Sequence, residues 1–247
     1  GASSGIGAAL AVEYARRGAR PVLVARREER IRKLAGELGE DRALAVVGDV
    51  TRDGDLEAAV AAALERFGRL DVVVANAGFG VAGRMLRLGP DDLRRQMETN
   101  VHGVLRTFWA SAEALISSGG VFAVMGSVSG HIALPGSGPY SMSKAAVHAL
   151  AHALRHELAP LGVGVVLLVP GFVSSEIRAV DNRGTHHPEA RDPVPGWLVM
   201  PAERAARIMV RAVERRRRVR VITLHGQVIV ALTRHLPWPG EHTEHNA

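Results

Sequence analysis

The sequence predicts an α/β fold: a doubly wound, mostly parallel sheet with helices packed on both faces. Three observations carry that prediction. Short valine-rich runs bounded by Gly, Asp or Pro recur along the chain, the pattern of strands buried on both sides. Longer amphipathic stretches separate them at the spacing of βαβ units. The 247 residues are 47% hydrophobic and 23% charged, a balance that lets one domain over 1–247 build a sizeable core.

Strands are expected at Pro21 to Ala25, Ala43 to Val47, Val72 to Ala75, Val121 to Met125, Val163 to Val169 and Val219 to Leu224. The first helix pattern runs from Gly5 to Arg17, with Ile6, Leu10 and Ala11 on one face. Thr51 is placed to cap a helix reaching Phe67. Pro90 suits a first helical turn, and the pattern then continues to about Ser118. Further helices are expected over Pro139 to Ala159 and Pro201 to Arg215. Right-handed crossovers between parallel strands make such a sheet doubly wound. Ser174 to Val199 breaks the rhythm with Asp181, Asn182, Gly184, Pro193 and Pro195, and reads as a mobile lid over residues 174–199. Residues 219–247 read as a last strand and tail.

Composition excludes several function classes. No cysteine is present, so disulfides, thiolate metal sites and cysteine nucleophiles are out, and a reducing cytoplasm is a fitting location. The net charge is +6, but the only dense basic run, Arg215 to Arg218, reads as a solvated helix end. Aromatics at 4% are too few for a base-stacking platform, so no nucleic-acid partner is expected. No window supplies the ~20 apolar residues of a membrane span, and membrane association is not expected. His186, His187, His225, His235, His242 and His245 lack carboxylates at metal spacing and read as solvated loop residues, so no metal is expected.

The chemistry concentrates in two motifs. Gly1-Ala-Ser3-Ser4-Gly5-Ile6-Gly7 opens straight into a helix, where backbone N–H groups and the helix dipole can meet a pyrophosphate. The next strand ends in Arg26-Arg27 in place of the acid that would accept hydrogen bonds from the ribose of NAD. Arginine forks bind phosphate, which favours the 2′-phosphate of NADP(H) over NAD(H). The second motif is Tyr140-Ser-Met-Ser-Lys144, two side chains four apart on one helical face. A phenol of pKa near ~10 exchanges protons poorly at neutral pH, and an adjacent ammonium lowers that value. Only two lysines, Lys33 and Lys144, occur among 31 Lys and Arg residues, so a lysine here points to a task arginine does not serve. Ser127 closes a strand at the sheet end where α/β ligands bind, with Ser129 as a rival. Asn100 sits in the middle of a helical pattern, which asparagine disfavours.

Together these residues resemble the compact, single-domain short-chain dehydrogenase/reductase family, from Gly1 to about Val173. The resemblance rests on the glycine motif, Asp49-Val50, Asn76-Ala77-Gly78, Asn100, Ser127, the YxxxK pair and Pro170-Gly171, in matching order and spacing. It implies a Rossmann-like fold and hydride transfer between NADP(H) and a carbonyl or secondary alcohol, as in a carbonyl reductase or alcohol dehydrogenase. It implies Tyr140 as general acid and base, Lys144 as the group that lowers its pKa and holds the nicotinamide ribose, and Ser127, chosen over Ser129 by spacing, as partner of the substrate oxygen. Asn100 would position a water linking Lys144 to solvent. Gly1, Ser3, Ser4, Gly5, Ile6 and Gly7 would cradle the pyrophosphate, and Arg26 and Arg27 the ribose phosphate. Asp49 and Val50 would flank the adenine, and Asn76, Ala77 and Gly78 the cofactor floor. Pro170, Gly171, Val173 and Ser175 would cover the nicotinamide, with Ser175 where the family often has threonine.

The family usually carries a strand and a threonine before the first glycine, so about ten further residues, one strand's worth, are expected upstream of Gly1. Ser4 is not basic, although many NADP-preferring members have Arg or Lys there. The resemblance also implies a homodimer or homotetramer built on the helices around Asp91 to Ser118 and Pro139 to Ala159. The alternatives are another redox step, such as enoyl reduction, or a cofactor-sensing or scaffolding protein without turnover.

Overall fold

A computed structural model describes residues 1–187, 189–190 and 192–235. Six parallel strands appear where the valine-rich runs lie: β1 (Val22–Ala25), β2 (Leu44–Val47), β3 (Val72–Ala75), β4 (Val121–Met125), β5 (Gly164–Val169) and β6 (Val219–Val221). β1 pairs with β2, and the other four run in the order β3-β4-β5-β6. Every pairing is parallel, with Val72 opposite Val121 and Val121 opposite Gly164.

The helices between them are α1 (Gly5–Arg16), α2 (Glu28–Leu38), α3 (Asp55–Phe67), α4 (Pro90–Met97), α5 (Gly103–Ser118), α6 (Gly138–Leu158), α7 (Ala202–Glu214) and α8 (Leu224–His235). β4 shows why both sheet faces must be covered. Ala123 and Met125 point to one face, where they meet Leu10 of α1 and Met209 of α7. Phe122 and Val124 point to the other, where Leu115 of α5 and Val147 and Ala151 of α6 complete the core. Period-two alternation in a strand that is apolar throughout forces this two-sided burial.

Several boundaries differ from the sequence expectation. Thr51 does not cap α3; it hydrogen-bonds Asp49, and the helix starts at Asp55 after Gly54, with Asp55 and Glu57 stabilising its first turn. The single helix expected over Pro90 to Ser118 is divided by a π-helical turn at Glu98–His102, which carries the buried Asn100. α2 follows the Arg26-Arg27 pair as an 11-residue helix that buries Ile31 and Ala35. The last strand stops at Val221, and Leu224–His235 is helix rather than a continuation of the strand. Leu236 to Trp238, His242 and His245, like the side chain of His235, lie outside the described residues.

Arg216, expected to be solvated, donates to the carbonyls of Gly119 and Gly162 and ties together the loops before β4 and β5. The described residues of 174–199 are irregular, with short 3-10 turns at Glu176–Ala179 and Gly196–Leu198. This segment is pinned by the Arg178–Asp192 ion pair (2.6 Å) and the Val173–Met200 bridge.

Between β1 and β3 lies a cavity of about 560 Å³, walled by Val22, Leu23 and Val24 on one side and by Val72, Val73 and Val74 on the other. No helix among the described residues is long and apolar enough to cross a membrane. No cluster of three or more His, Asp or Glu among them could hold a metal.

Candidate active site and cofactor cleft

A cleft of about 770 Å³ opens at the carboxyl ends of the strands. That is where an open α/β sheet offers loops and helix N-termini to a ligand. Every residue expected at the site lines it except Asn100: the glycine turn, Arg26 and Arg27 after β1, Asp49 and Val50 after β2, Asn76 to Gly78 after β3, Ser127 after β4, and Pro170, Gly171, Val173 and Ser175 after β5. Tyr140 and Lys144 project into the same cleft from α6.

The glycine turn is built by close approach. Asn76 Nδ2 donates to the carbonyl of Gly1 at 3.0 Å, and Gly5 adopts φ +52°. A Cβ on Gly7 would collide with the Gly1 carbonyl oxygen and stand 2.7 Å from Asn76 Nδ2. The turn therefore brings backbone N–H groups and the start of α1 to the cleft wall with no side chain in the way.

Beside it, Arg27 is spread over three partners. Its Nε donates to Ser3 Oγ (3.0 Å), one terminal nitrogen to Ser4 Oγ (2.7 Å) and the other to Glu176 (2.7 Å). Arg26 is more exposed and lies 3.7 Å from Asp49. Burial raises the Asp49 pKa, but Thr51's hydrogen bonds and Arg26 outweigh it and hold the carboxyl below its ordinary value.

At the other end of the cleft, Tyr140 is half-buried, and desolvation pushes its phenol above its ordinary pKa. The nearby Ser127 hydroxyl and the charge of Arg178 pull the other way. Lys144 is buried more deeply, and burial lowers its ammonium to about 8. Its Nζ donates to the Met125 carbonyl (2.8 Å) and stands 5.8 Å from the centroid of the Tyr140 ring. Pairing on one helical face is thus as expected, but the direction of the phenol's shift is not. Desolvation dominates it, and the ammonium is engaged with the end of β4.

Ser127 Oγ accepts from Ser129 N–H (3.1 Å), so the rival serine supports it by backbone. Asn100 lies behind the cleft. Its Oδ1 accepts from Phe79 N–H (3.1 Å), and its Nδ2 donates to the Phe79 carbonyl (3.0 Å) and Ser143 Oγ (3.1 Å). It reaches the cleft through Gly78, where a Cβ would stand 3.1 Å from Asn100 Oδ1 and 3.8 Å from Lys144 Nζ.

Three neighbours escaped the sequence analysis. His148, two turns after Tyr140 on α6, accepts from Ser127 N–H at 3.3 Å, and burial holds its imidazole at about 3. Arg178 bears on the Tyr140 phenol, and Glu176 on Arg27. Helical spacing from Tyr140 through Lys144 was the one available signal for His148. His187, expected to be merely solvated, sits between Asp181 (3.0 Å) and Glu189 (3.3 Å), which raise its pKa. His225 accepts from Phe172 N–H (3.1 Å), stacks on its ring and steadies the loop after β5.

Residues 1–185 match the family model for short chain dehydrogenases. The chain belongs to that family. A short-chain dehydrogenase structure from Burkholderia phymatum in complex with NAD superposes with a TM-score of 0.83, at 26% identity over 95% of this chain and 89% of that one. Another, from Sphingobium yanoikuyae in complex with NADPH, gives 0.76 at 29% identity, over 97% and 95%. An A-factor type gamma-butyrolactone 1'-reductase from Streptomyces virginiae is 40% identical over 184 residues, 72% of each chain. The protein is therefore a short-chain dehydrogenase/reductase, an oxidoreductase with an α/β fold whose structural neighbours bind NAD or NADP. The cleft fits such a dinucleotide: cationic at the β1 end, open at the glycines of the turn and proton-bearing at Tyr140.

Proposed function

We propose that this dehydrogenase transfers hydride between NADP(H) and a carbonyl or secondary alcohol, with Tyr140 as the proton-transfer residue. The observation that carries the reading is the junction of Tyr140, Ser127 and Lys144 in one cleft, with the Ser127 hydroxyl near enough to lower the phenol's pKa and the ammonium 5.8 Å from the ring centroid. The nicotinamide supplies or accepts the hydride. In reduction, Tyr140 and Ser127 hydrogen-bond the carbonyl oxygen, and Tyr140 gives its proton as negative charge develops there. A phenol held protonated by burial suits that acid role. In the reverse direction it must accept a proton, and the Lys144 charge stabilises the phenolate so formed. One of the three ammonium donors is committed to Met125, which leaves two for ribose hydroxyls. Asn100 fixes the Phe79 backbone and Ser143 behind Lys144, and so acts as a positioning residue.

The NADP preference rests on Arg27 and Arg26 at the end of β1, with Arg30 one turn further along α2. The substrate side is partly apolar, with Val173, Ile177 and Val180 lining the cleft and residues 174–199 as its lid. Trp109 and Ile116 lie seven apart on α5 and are both exposed, an apolar stripe that supports a homodimer or homotetramer through that helix. The lack of cysteine fits a cytoplasmic location.

The test is cofactor oxidation across ketones and aldehydes, including a gamma-butyrolactone of A-factor type, run with NADPH and repeated with NADH. Carbonyl-dependent NADPH consumption that exceeds NADH consumption is expected. Dinucleotide binding with no turnover on any carbonyl would instead mark a sensor.

A further inference from the structure

Glu176 lies in the first turn of the lid, 149 residues after Arg27, yet its carboxylate closes the arginine cluster at the β1 end of the cleft. One oxygen accepts from Arg27 (2.7 Å) and the other from Arg30 (2.6 Å). His186 Nε2 stands 4.0 Å away, on the same oxygen that Arg30 holds. Burial raises the Glu176 pKa, but Arg30, Arg27 and Ser4 more than offset it, and the carboxyl sits at about 2. It is therefore ionised throughout the working pH range. Two guanidinium groups at the start of α2 are poorly placed against the helix dipole, and an anion between them relieves that.

A carboxylate held by two arginines satisfies the same donors that a phosphate monoester would, with fewer oxygens and less charge. We propose that Glu176 is an internal competitor for the seat of the cofactor's 2′-phosphate, and so a specificity-determining residue that NADP(H) must displace and NAD(H) need not. This rests on the NADP reading of Arg27 given above. Displacement frees Arg27 and Arg30 for the phosphate while the serine contacts of Arg27 stay in place. It also detaches the first turn of the lid from α2, so that occupation of the phosphate seat is felt next to Ser175. Both ion pairs are partly exposed, with side-chain exposures of 38% and 44% on the arginines, so the competition is modest in strength.

The experiment is calorimetric titration of the whole chain with 2′,5′-ADP and with 5′-AMP, probes that differ only in the phosphate. Wild type, Glu176→Gln and Arg27→Ala are compared. Glu176→Gln is expected to tighten 2′,5′-ADP about three- to tenfold and to leave 5′-AMP unchanged. Arg27→Ala is expected to weaken 2′,5′-ADP selectively. If Arg27→Ala does so but Glu176→Gln leaves 2′,5′-ADP unchanged or weaker, Glu176 is a latch that supports the seat, and the competition is overturned while the NADP reading stands. If wild type binds the two probes equally and Arg27→Ala changes neither, the phosphate seat itself is absent and both ideas fall.

Discussion

Lys144 Nζ stands 2.8 Å from the Met125 carbonyl oxygen and 5.8 Å from the centre of the Tyr140 ring, so one buried cation spans the end of β4 and the start of α6. Burial lowers its pKa from 10.5 to about 8. An unfolded chain holds this proton up to higher pH than the folded one. The penalty of the buried charge is thus full below pH 8 and fades as pH rises toward 10.5. Denaturant unfolding should show Lys144→Met flattening the pH dependence of stability between about 8 and 10 by a few kcal/mol. The same variant should lose turnover. A slope in that window identical to wild type would contradict the burial assigned to this ammonium.

His148 accepts from the backbone of Ser127 and is held neutral, its pKa lowered from 6.5 to about 3. In the unfolded chain it protonates as pH falls through 6.5, while in the folded chain it resists. Stability is therefore lost on acidification from about 6.5 downward. His148→Gln keeps an acceptor for Ser127 and cannot titrate. It should cut the loss of stability between about pH 6.5 and 4.5 by about 2 kcal/mol, a window above the shifted carboxyls of Glu13 and Glu176. An unchanged acid slope would mean that the imidazole is not buried as described.

The strands and the helix that carries Tyr140 and Lys144 were legible in the sequence because their physics is local. Valine runs buried on both faces have few alternatives to a central parallel strand, and Tyr140 and Lys144 share a face by helical geometry alone. The glycine turn was legible for the same reason. What stayed hidden depends on contacts across the chain. Glu176 meets Arg27 over 149 residues, and no spacing rule announces that pair. The sign of the Tyr140 shift required knowing that desolvation exceeds the help of neighbouring charges. The π turn at Asn100 was visible only as an asparagine out of place, and α8 was misread because an apolar run ending a sheet protein looks like an edge strand.

Gly7 should tolerate no side chain. Its Cβ would strike the Gly1 carbonyl and crowd Asn76 Nδ2, which holds the turn together. Gly7→Ala is expected to cost about 1–3 kcal/mol in stability and to weaken dinucleotide binding by at least about tenfold, as read by thermal unfolding with and without NADPH. Near-wild-type binding would show that the turn does not hold the pyrophosphate.

Arg27 should discriminate between cofactors in the steady state as well. Arg27→Ala removes a guanidinium that spans Ser3, Ser4 and Glu176, and the KM for NADPH should rise about tenfold or more while that for NADH changes little. Equal rises for both would assign Arg27 to holding the glycine turn and not to the phosphate.

The most direct measurement compares turnover and dinucleotide affinity in Tyr140→Phe. The ring keeps its place in the cleft and loses only the hydroxyl that meets Ser127. Carbonyl reduction should fall by about 10²–10⁴-fold while NADPH binds as in wild type. Substantial turnover retained by this variant would contradict proton transfer through Tyr140, and with it the mechanism assigned to the cleft.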